Sequence, residues 1–279
     1  MIPPIANKFV AGETAEGAVS YAESLNGDGV SGILNLLGEH YTDRRGADAD
    51  ADAYVSLVQD IADADLDACV SVKPSQIGLD ISDGVFRENL DRIVDAADDE
   101  GVFVWVDMED HETTDVTLDA VCDLGRETDG NVGVCVQANL KRTPDDVERL
   151  ADVPGKVRLV KGAYNEPKSI AYKEKSKVDE AYRDLLEFMF AEFDDGIAVG
   201  SHDPKMISHA RDLHDEYGTP YEVQMLMGVR EDAQRELADD DVEVWQYVPY
   251  GDKWFQYFYR RVRERKENAL FAMRAVLGV

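Results

Sequence analysis

The fold of this chain is decided by residues 132–160, which read VGVCVQANLKRTPDDVERLADVPGKVRLV. The stretch opens with a short apolar run, continues with helical spacing that has Pro144 near its start, and ends in a second apolar run. Continuous apolar runs are typical of strands buried on both faces, and proline is tolerated in the first turn of a helix. These residues therefore predict a strand–helix–strand unit.

The same unit recurs along the chain. Apolar runs predict eight strands, at residues 33–37, 68–72, 102–106, 132–136, 157–160, 197–199, 221–226 and 242–247. A helical pattern precedes the first strand at 14–25, and others follow the strands, at 50–62, 85–97, 115–124, 144–150, 178–193, 204–217 and 231–237. Eight βα units in roughly 250 residues are the size and count of an α/β TIM barrel. A doubly wound sheet is the alternative.

We find no linker and no shift in composition, so the 279 residues are predicted to form one domain. Its parts are a helical lead-in at 1–29, a barrel at 30–250 and C-terminal helices at 251–279. The G-x-G-x-x-G pattern at residues 27–32 has a helix before it and a strand after it, which is the reverse of a dinucleotide-binding loop. We therefore do not assign it to a cofactor.

The charge is unusual. The chain has 58 acidic and 29 basic residues, a formal net charge of −29. Such a chain repels nucleic acid phosphates, so no nucleic acid partner is expected. A surface this acidic indicates a protein that stays hydrated at very high salt, as in halophiles.

Charge repulsion predicts a fold that salt stabilises. Because salt screens repulsion between exposed carboxylates, the melting temperature is expected to be higher in molar salt than in dilute buffer. Thermal unfolding followed by circular dichroism measures this, and a melting temperature that salt does not change would contradict the prediction.

The cysteines and the apolar runs limit the possible cross-links and the possible location of the protein. The three cysteines (Cys69, Cys122 and Cys135) are scattered, so neither a disulfide framework nor a zinc knuckle is indicated. Residues 1–11 lack the pattern of a signal peptide, and no apolar run approaches a membrane span of about 18 residues. The expected location is cytoplasmic or peripheral at the inner face of the membrane.

Polar residues follow the predicted strands, where a barrel places its chemistry. They are Lys73, Asp107, Glu109, Asp110, His111, Gln137, Arg158, Lys161, Tyr164, Ser201, His202, Gln224 and Tyr247. This cationic and hydrogen-bonding set, in so acidic a protein, indicates an anionic cofactor, an anionic substrate or both. Individually, each has a plainer interpretation: Lys73 and Asp107 as an internal ion pair, and Arg158 as a bridge across the barrel floor. The carboxylates of 107–112 with His111 and His40 form a weaker metal alternative.

The C-terminal segment adds two arginines. In a helix that starts near Asp252, Tyr257, Arg260 and Arg261 are three and four residues apart and share one face. Arginine grips a carboxylate in a planar fork, so this face suits a small carboxylate on an apolar body. A solvated basic helix is the alternative.

With these residues, the chain resembles the proline dehydrogenase family. The resemblance is carried by RLVKGAY at 158–164, YEVQMLMGV at 221–229, YVPYG at 247–251 and YFYRR at 257–261. Shorter matches are SVKP at 71–74, DME at 107–109 and SHD at 201–203. They occur in family order over roughly residues 30–270. The resemblance implies a distorted (βα)8 barrel whose last helix covers the barrel top.

The resemblance also implies a monofunctional enzyme that oxidises L-proline to 1-pyrroline-5-carboxylate by hydride transfer to FAD. Electrons would pass to a membrane quinone, and the product to a separate pyrroline-5-carboxylate dehydrogenase. The implied catalytic and substrate-binding residues are Lys73, Asp107, Leu226, Tyr247, Tyr257, Arg260 and Arg261. The implied FAD-binding residues are Gln137, Arg158, Lys161, Gly162, Ala163, Tyr164, Ser201, His202 and Gln224. No metal is implied.

Two other functions fit the residues. A Schiff-base aldolase or lyase on the same barrel would use Lys73 or Lys161 as a nucleophile with a lowered pKa, and Arg260 and Arg261 to hold an acidic substrate. A non-catalytic module that binds an anionic metabolite would be stabilised by its ligand without turning it over.

Overall fold

The computed structural model describes residues 6–255 and 257–259. Eight strands form the centre of the fold: β1 Ser31–Leu36, β2 Ala68–Val72, β3 Val104–Val106, β4 Val132–Gln137, β5 Lys156–Val160, β6 Ile197–Gly200, β7 Tyr221–Leu226 and β8 Glu243–Tyr250. The helices are α1 Ala15–Gly27, α2 Arg44–Asp63, α3 Asp83–Glu100, α4 Thr114–Glu127, α5 Thr143–Leu150, α6 Lys175–Glu192, α7 Pro204–Tyr217 and α8 Glu231–Asp239. Single 3₁₀ turns occur at Ala6–Lys8 and His111–Thr113.

The strands close into a parallel barrel in sequence order. Each pairs with the next, and β8 returns to β1 with Ile33 opposite Tyr247 and Leu34 opposite Val248. The TIM-barrel prediction is confirmed, and the doubly wound alternative is wrong because such a sheet has two open edges. Residues 27–32 run from α1 into β1, which agrees with their exclusion as a dinucleotide loop.

Two apolar regions follow from the alternation of side chains along each strand. Residues such as Leu34, Val70 and Val134 point outward and form the large core beneath the helices. Their neighbours point into the barrel, where Ile33, Cys69, Trp105 and Ala198 form a small cluster. Other inward positions are polar, and they supply the candidate site.

Helix α2 begins earlier than its sequence pattern predicts. The predicted helix covered 50–62, whereas α2 starts at Arg44 with Asp43 accepting a hydrogen bond from the backbone of Gly46. The first turns bury only Ala47 and Ala51, so they show little apolar periodicity. Their negative charges are partly offset by ion pairs such as Arg44–Asp48.

The first and the last described segments of the chain meet beside Leu37, the residue that follows β1. Phe9, Val10, Leu37 and Tyr257 are buried in one cluster, with Trp254 and Phe258 packed against it. Residues 254, 255 and 257–259 are helical, so the structure describes the start of the predicted C-terminal helix. Arg260, Arg261 and the remainder of that segment lie outside the described residues.

Within the described part of the chain, no helix is long and apolar enough to cross a membrane.

Candidate active site

The candidate site is centred on Asp107, the residue that follows β3. Its Oδ2 accepts hydrogen bonds from Lys73 Nζ at 3.0 Å and from the Tyr247 hydroxyl at 2.7 Å. Its Oδ1 accepts from the Ser71 hydroxyl at 2.9 Å and from the guanidinium of Arg158. The Asp107 side chain is 16% exposed, and that of Arg158 is 5% exposed. One carboxylate thus holds two cations and a phenol.

The barrel explains why these distant residues meet. Side chains two positions apart on a strand share a face, so Trp105 and Asp107 both point inward, as do Ser71 and Lys73. The backbone N–H of Asp107 donates to Val72 at 2.9 Å, which fixes the end of β3 against the end of β2. Functional side chains in a TIM barrel gather at these strand ends.

The electrostatics of the cluster fix its charges. Burial alone would raise the pKa of Asp107, but the charges of Lys73 and Arg158 lower it to about 2. Burial alone would lower the pKa of Lys73, but Asp107 outweighs it and the pKa is raised. Burial, followed by the charge of Asp107, raises the pKa of Tyr247 well above its ordinary value. Near neutral pH the cluster therefore holds a carboxylate, an ammonium, a guanidinium and a neutral phenol.

Lys73 reaches from this cluster into a cavity of about 340 Å³. The lining residues are Leu37, Gly38, Glu39, His40, Tyr41, Lys73, Lys253 and Tyr257. The Lys73 ammonium has three N–H bonds; Asp107 takes one, and the Tyr247 oxygen takes another at 3.1 Å. Among the described residues this leaves one N–H for a ligand, so Lys73 can bind an anion without leaving Asp107.

Most residues predicted to bind a flavin lie around the ends of β4 to β6, whereas Arg158 and Gln224 lie within β5 and β7 and bond to each other inside the barrel. Gln137 donates to the backbone of Glu109 at 2.8 Å and accepts from the backbone N–H of Ala163 at 3.4 Å. Tyr164 is half-buried, and burial raises the pKa of its phenol. Gly162 has a φ of +104°, and a Cβ there would lie 2.1 Å from Asn139 Oδ1.

Lys161 lies in a charged cluster. Its Nζ is 2.5 Å from Asp179 and 2.8 Å from Asp203, and Lys175 contacts Asp179 as well. Burial alone would lower the pKa of Lys161, but its hydrogen bonds to the two carboxylates raise it. Lys161 is thus held protonated by acidic partners on two other elements.

Ser201 and His202 follow β6. The Ser201 hydroxyl accepts from the backbone N–H of Asp203 at 3.1 Å. His202 Nε2 accepts from the backbone N–H of Leu226 at 2.8 Å, so its proton is on Nδ1 in the neutral ring. This bond joins the ends of β6 and β7 beside the predicted substrate pocket.

The metal alternative is not supported by these contacts. Asp107 is surrounded by cations, and His111 Nδ1 pairs instead with Glu166 at 2.6 Å. Two residues of that alternative, His40 and Glu109, do lie together with Glu39, and their candidate ligand atoms are within 4.8 Å of one another. However, the Glu109 carboxylate already accepts from the backbone and hydroxyl of Ser75.

Sequence reasoning missed some members of the site. Ser71 bonds Asp107, and the Trp105 ring centroid lies 4.7 Å from the Arg158 guanidinium carbon. Glu222 is 3% exposed and contacts Gln224. The missed signal was the two-residue alternation, because each of the three lies two positions before a residue that was predicted.

Fold and site together define a (βα)8-barrel protein with a buried carboxylate–cation cluster at the strand ends. The family model described as Proline dehydrogenase matches residues 18–274. Proline dehydrogenase 1 of Bacillus subtilis (strain 168) is 34% identical over 275 residues, with 98% of this chain and 90% of that protein covered. Proline dehydrogenase of Deinococcus radiodurans is 35% identical over 283 residues, with the same coverage. This chain belongs to the proline dehydrogenase family, whose members are oxidoreductases.

A solved structure supports the same fold. Proline utilization A from Bdellovibrio bacteriovorus, inactivated by N-propargylglycine, superposes with a TM-score of 0.85 at 23% identity. The match covers 92% of this chain but 32% of that protein, so the chain spans about a third of its length. The sequence resemblance to the family is confirmed.

Proposed function

We propose that this protein oxidises L-proline to 1-pyrroline-5-carboxylate with FAD as the hydride acceptor. The observation that carries the proposal is Lys73, an ammonium held by Asp107 and Tyr247 at the edge of a cavity, in a member of the proline dehydrogenase family. Proline offers a carboxylate for that ammonium and an apolar ring for the aromatic and aliphatic walls around it.

The substrate would be held by its carboxylate. Lys73 supplies one charge-assisted hydrogen bond, and Asp107 fixes the direction in which it points. Arg260 and Arg261, outside the described residues, are proposed to complete the carboxylate clamp. Tyr257 lines the cavity beside Lys73, and Tyr247 and Leu226 are opposite one another in neighbouring strands. We propose that these three side chains shape the ring pocket, which excludes water and orients the carbon beside nitrogen.

The residues around β4 to β7 fit a flavin cofactor. Asn139 is 7% exposed, and its Oδ1 is buried without a hydrogen-bond partner among the described residues. Gly162 packs against that amide only because it lacks a side chain, since a Cβ there would lie 2.1 Å from Asn139 Oδ1. When bound, FAD supplies the hydride acceptor; the protein supplies orientation and charge.

We assign the cofactor contacts as predicted, to Gln137, Arg158, Lys161, Gly162, Ala163, Tyr164, Ser201, His202 and Gln224. Arg158 provides a buried positive charge that would stabilise a reduced, anionic ring. Lys161 is proposed to face the phosphates, where Asp179 and Asp203 temper its charge.

The aldolase alternative loses its physical basis. A lysine that forms a Schiff base must be deprotonated, and enzymes achieve this by lowering its pKa. The pKa values of both Lys73 and Lys161 are raised, because the pull of neighbouring carboxylates exceeds the effect of burial. Neither lysine is prepared to act as a nucleophile near neutral pH.

A membrane quinone as the electron acceptor and a separate pyrroline-5-carboxylate dehydrogenase as the consumer of the product complete the proposal. Both rest on the family resemblance. Reduction of a soluble quinone analogue by proline in the presence of the protein would support the first.

The deciding experiment is an absorption spectrum of the purified protein in molar salt, before and after anaerobic L-proline. We expect a two-banded flavin spectrum that bleaches when proline is added, because hydride transfer removes the oxidised chromophore. N-propargylglycine shares the carboxylate and secondary amine of proline, and it should inactivate the protein irreversibly. A spectrum that is indifferent to proline would refute the substrate, and a protein that stays colourless with added FAD would refute the cofactor.

A further inference from the structure

A chain of polar side chains crosses the barrel interior from its floor to Asp107. At the floor, Lys156 Nζ lies 2.5 Å from Glu222 Oε2. The other oxygen of Glu222 accepts from Gln224 Nε2 at 2.5 Å. Gln224 Oε1 then accepts from Arg158 at 3.1 Å, and Arg158 donates to Asp107. Every link is a hydrogen bond or an ion pair.

The chain lies where a TIM barrel ordinarily carries branched apolar residues. Glu222, Gln224 and Arg158 are 3%, 4% and 4% exposed. Taking charged groups out of water is costly unless each is paired, and here each one is. Even when paired, buried charges seldom stabilise a fold more than apolar side chains of the same size would, so a role in the site above explains the arrangement better than stability does.

The chain has a direction, which Gln224 sets. A guanidinium can only donate hydrogen bonds and a carboxylate can only accept them. The amide oxygen of Gln224 must therefore face Arg158, and its nitrogen must face Glu222. Lys156 secures the far end, because it neutralises Glu222 and is itself held between the rings of Phe103 and Trp245, at 5.5 and 5.7 Å.

We propose that Glu222 and Lys156 are positioning residues for the active site. Through Gln224 they fix the plane of the Arg158 guanidinium, and through Arg158 they hold Asp107 and with it Lys73. The inference rests on the proposed function for its effect on proline oxidation. The placement of Arg158 is independent of that function.

The principal variant is Glu222→Gln. The amide introduced at position 222 would accept from Lys156 through its oxygen and offer its N–H₂ to Gln224. Gln224 must then turn its oxygen toward position 222 and its N–H₂ toward Arg158, so two donors face each other. We expect kcat/KM for proline to fall at least about tenfold, which corresponds to about 1.4 kcal/mol of transition-state stabilisation.

The exchange variant Glu222→Gln/Gln224→Glu restores the direction of the chain. Lys156 donates to the amide at 222, that amide donates to the carboxylate at 224, and the carboxylate accepts from Arg158. The charge and the atoms are conserved. Because Gln224 is itself assigned to the cofactor site, the readout for this variant is the orientation of Arg158 and not kcat/KM. We expect Arg158 to keep its hydrogen bonds to position 224 and to Asp107, because each group again meets a complementary partner.

Glu243→Gln is the matched control. Glu243 lies beside Glu222 in the neighbouring strand, 4.0 Å from Lys156, but it is 54% exposed and does not contact Gln224 or Arg158. Glu243→Gln removes one negative charge from the barrel floor, as Glu222→Gln does. Wild-type kcat/KM is expected.

A second readout follows Arg158 itself. The side-chain N–H resonance of Arg158 in ¹⁵N spectra, assigned by its loss in Arg158→Lys, should shift in Glu222→Gln and return in the exchange variant. Thermal melts of each variant separate positioning from unfolding. If Glu222→Gln does not fold, the exchange variant decides alone, because a folded exchange variant whose Arg158 resonance is absent from its hydrogen-bonded, wild-type position overturns the proposal.

The outcomes separate the two claims. A wild-type protein that does not oxidise proline refutes the proposed function, and the resonance of Arg158 then decides the positioning role. A wild-type protein that oxidises proline, with Glu222→Gln indistinguishable from Glu243→Gln in both readouts, refutes the positioning role alone.

Discussion

Replacing Asp107 with asparagine is expected to reduce kcat/KM for proline at least about 100-fold and to destabilise the fold by about 3–5 kcal/mol. Asp107 is the one carboxylate that Lys73 and Arg158 share among the described residues, and both cations are largely buried. The amide removes their counter-charge, and its N–H₂ group meets donors on either side. Lys73 would then lose the contact that directs it at the substrate carboxylate.

The pH dependence of this loss has a defined sign. The pKa of Asp107 is lowered from 3.8 to about 2 in the folded protein. A lowered pKa means that the carboxylate stabilises the fold fully above its ordinary value and loses that contribution as the pH falls toward 2. The difference in unfolding free energy between wild type and Asp107→Asn should therefore be constant above about pH 5 and shrink below pH 4.

Urea unfolding at several pH values and steady-state kinetics measure both effects. Asp119→Asn is the control, since Asp119 pairs with Arg149 at 2.8 Å but its side chain is 66% exposed. An exposed pair is worth little, so this variant should lie within about 0.5 kcal/mol of wild type with unchanged kinetics. If Asp107→Asn kept kcat/KM within threefold of wild type, Asp107 would not be the centre of the site.

The strand pattern of the barrel was predictable because each strand is buried on both faces and therefore reads as an apolar run. Closure of the barrel was predicted only from the number of strands. The pairing of β1 with β8, in which Ile33 lies opposite Tyr247, leaves no local pattern in the sequence. The predicted helix at 50–62 is shorter than α2, because the first turns of α2 bury only alanines that alternate with acidic residues. A helix face that is buried through alanines shows only a weak hydrophobic periodicity in the sequence.

The site was predictable as a set of strand-end residues, but not as a set of contacts. Sequence left open whether Arg158 bridges the floor or serves the top, and the structure shows that it bonds toward both, through Gln224 and Asp107. Lys161 was predicted to bind an anionic ligand. In the structure its ammonium also pairs with Asp179 of α6 and with Asp203, the N-cap of α7. Such pairings depend on how elements meet in space.

Gly162→Ala is expected to weaken FAD binding at least about tenfold while the barrel remains folded. Gly162 has a φ of +104°, which L side chains avoid, and the new Cβ would lie 2.1 Å from Asn139 Oδ1. The backbone of Asn139 is fixed, because its N–H donates to Lys161 at 3.1 Å and its carbonyl accepts from Tyr172 at 2.7 Å, so only its side-chain amide can turn away. The backbone conformation costs about 1–2 kcal/mol, and the clash displaces the Asn139 side chain or the loop that follows β5, which carries Ala163 and Tyr164 and belongs to the proposed cofactor site.

Gly101→Ala is the control that separates the effect of the clash with Asn139 from the cost of placing a side chain at a positive φ. Gly101 ends α3 with a φ of +68°, and a Cβ there meets no atom within 4 Å. It should lower the unfolding free energy by about 1 kcal/mol and leave FAD binding unchanged. The ratio of flavin to protein absorbance and a titration of the deflavinated protein with FAD measure the difference. Equal FAD affinity in both glycine variants would remove Gly162 from the cofactor site, since both place a side chain at a positive φ and only the methyl group at position 162 meets Asn139.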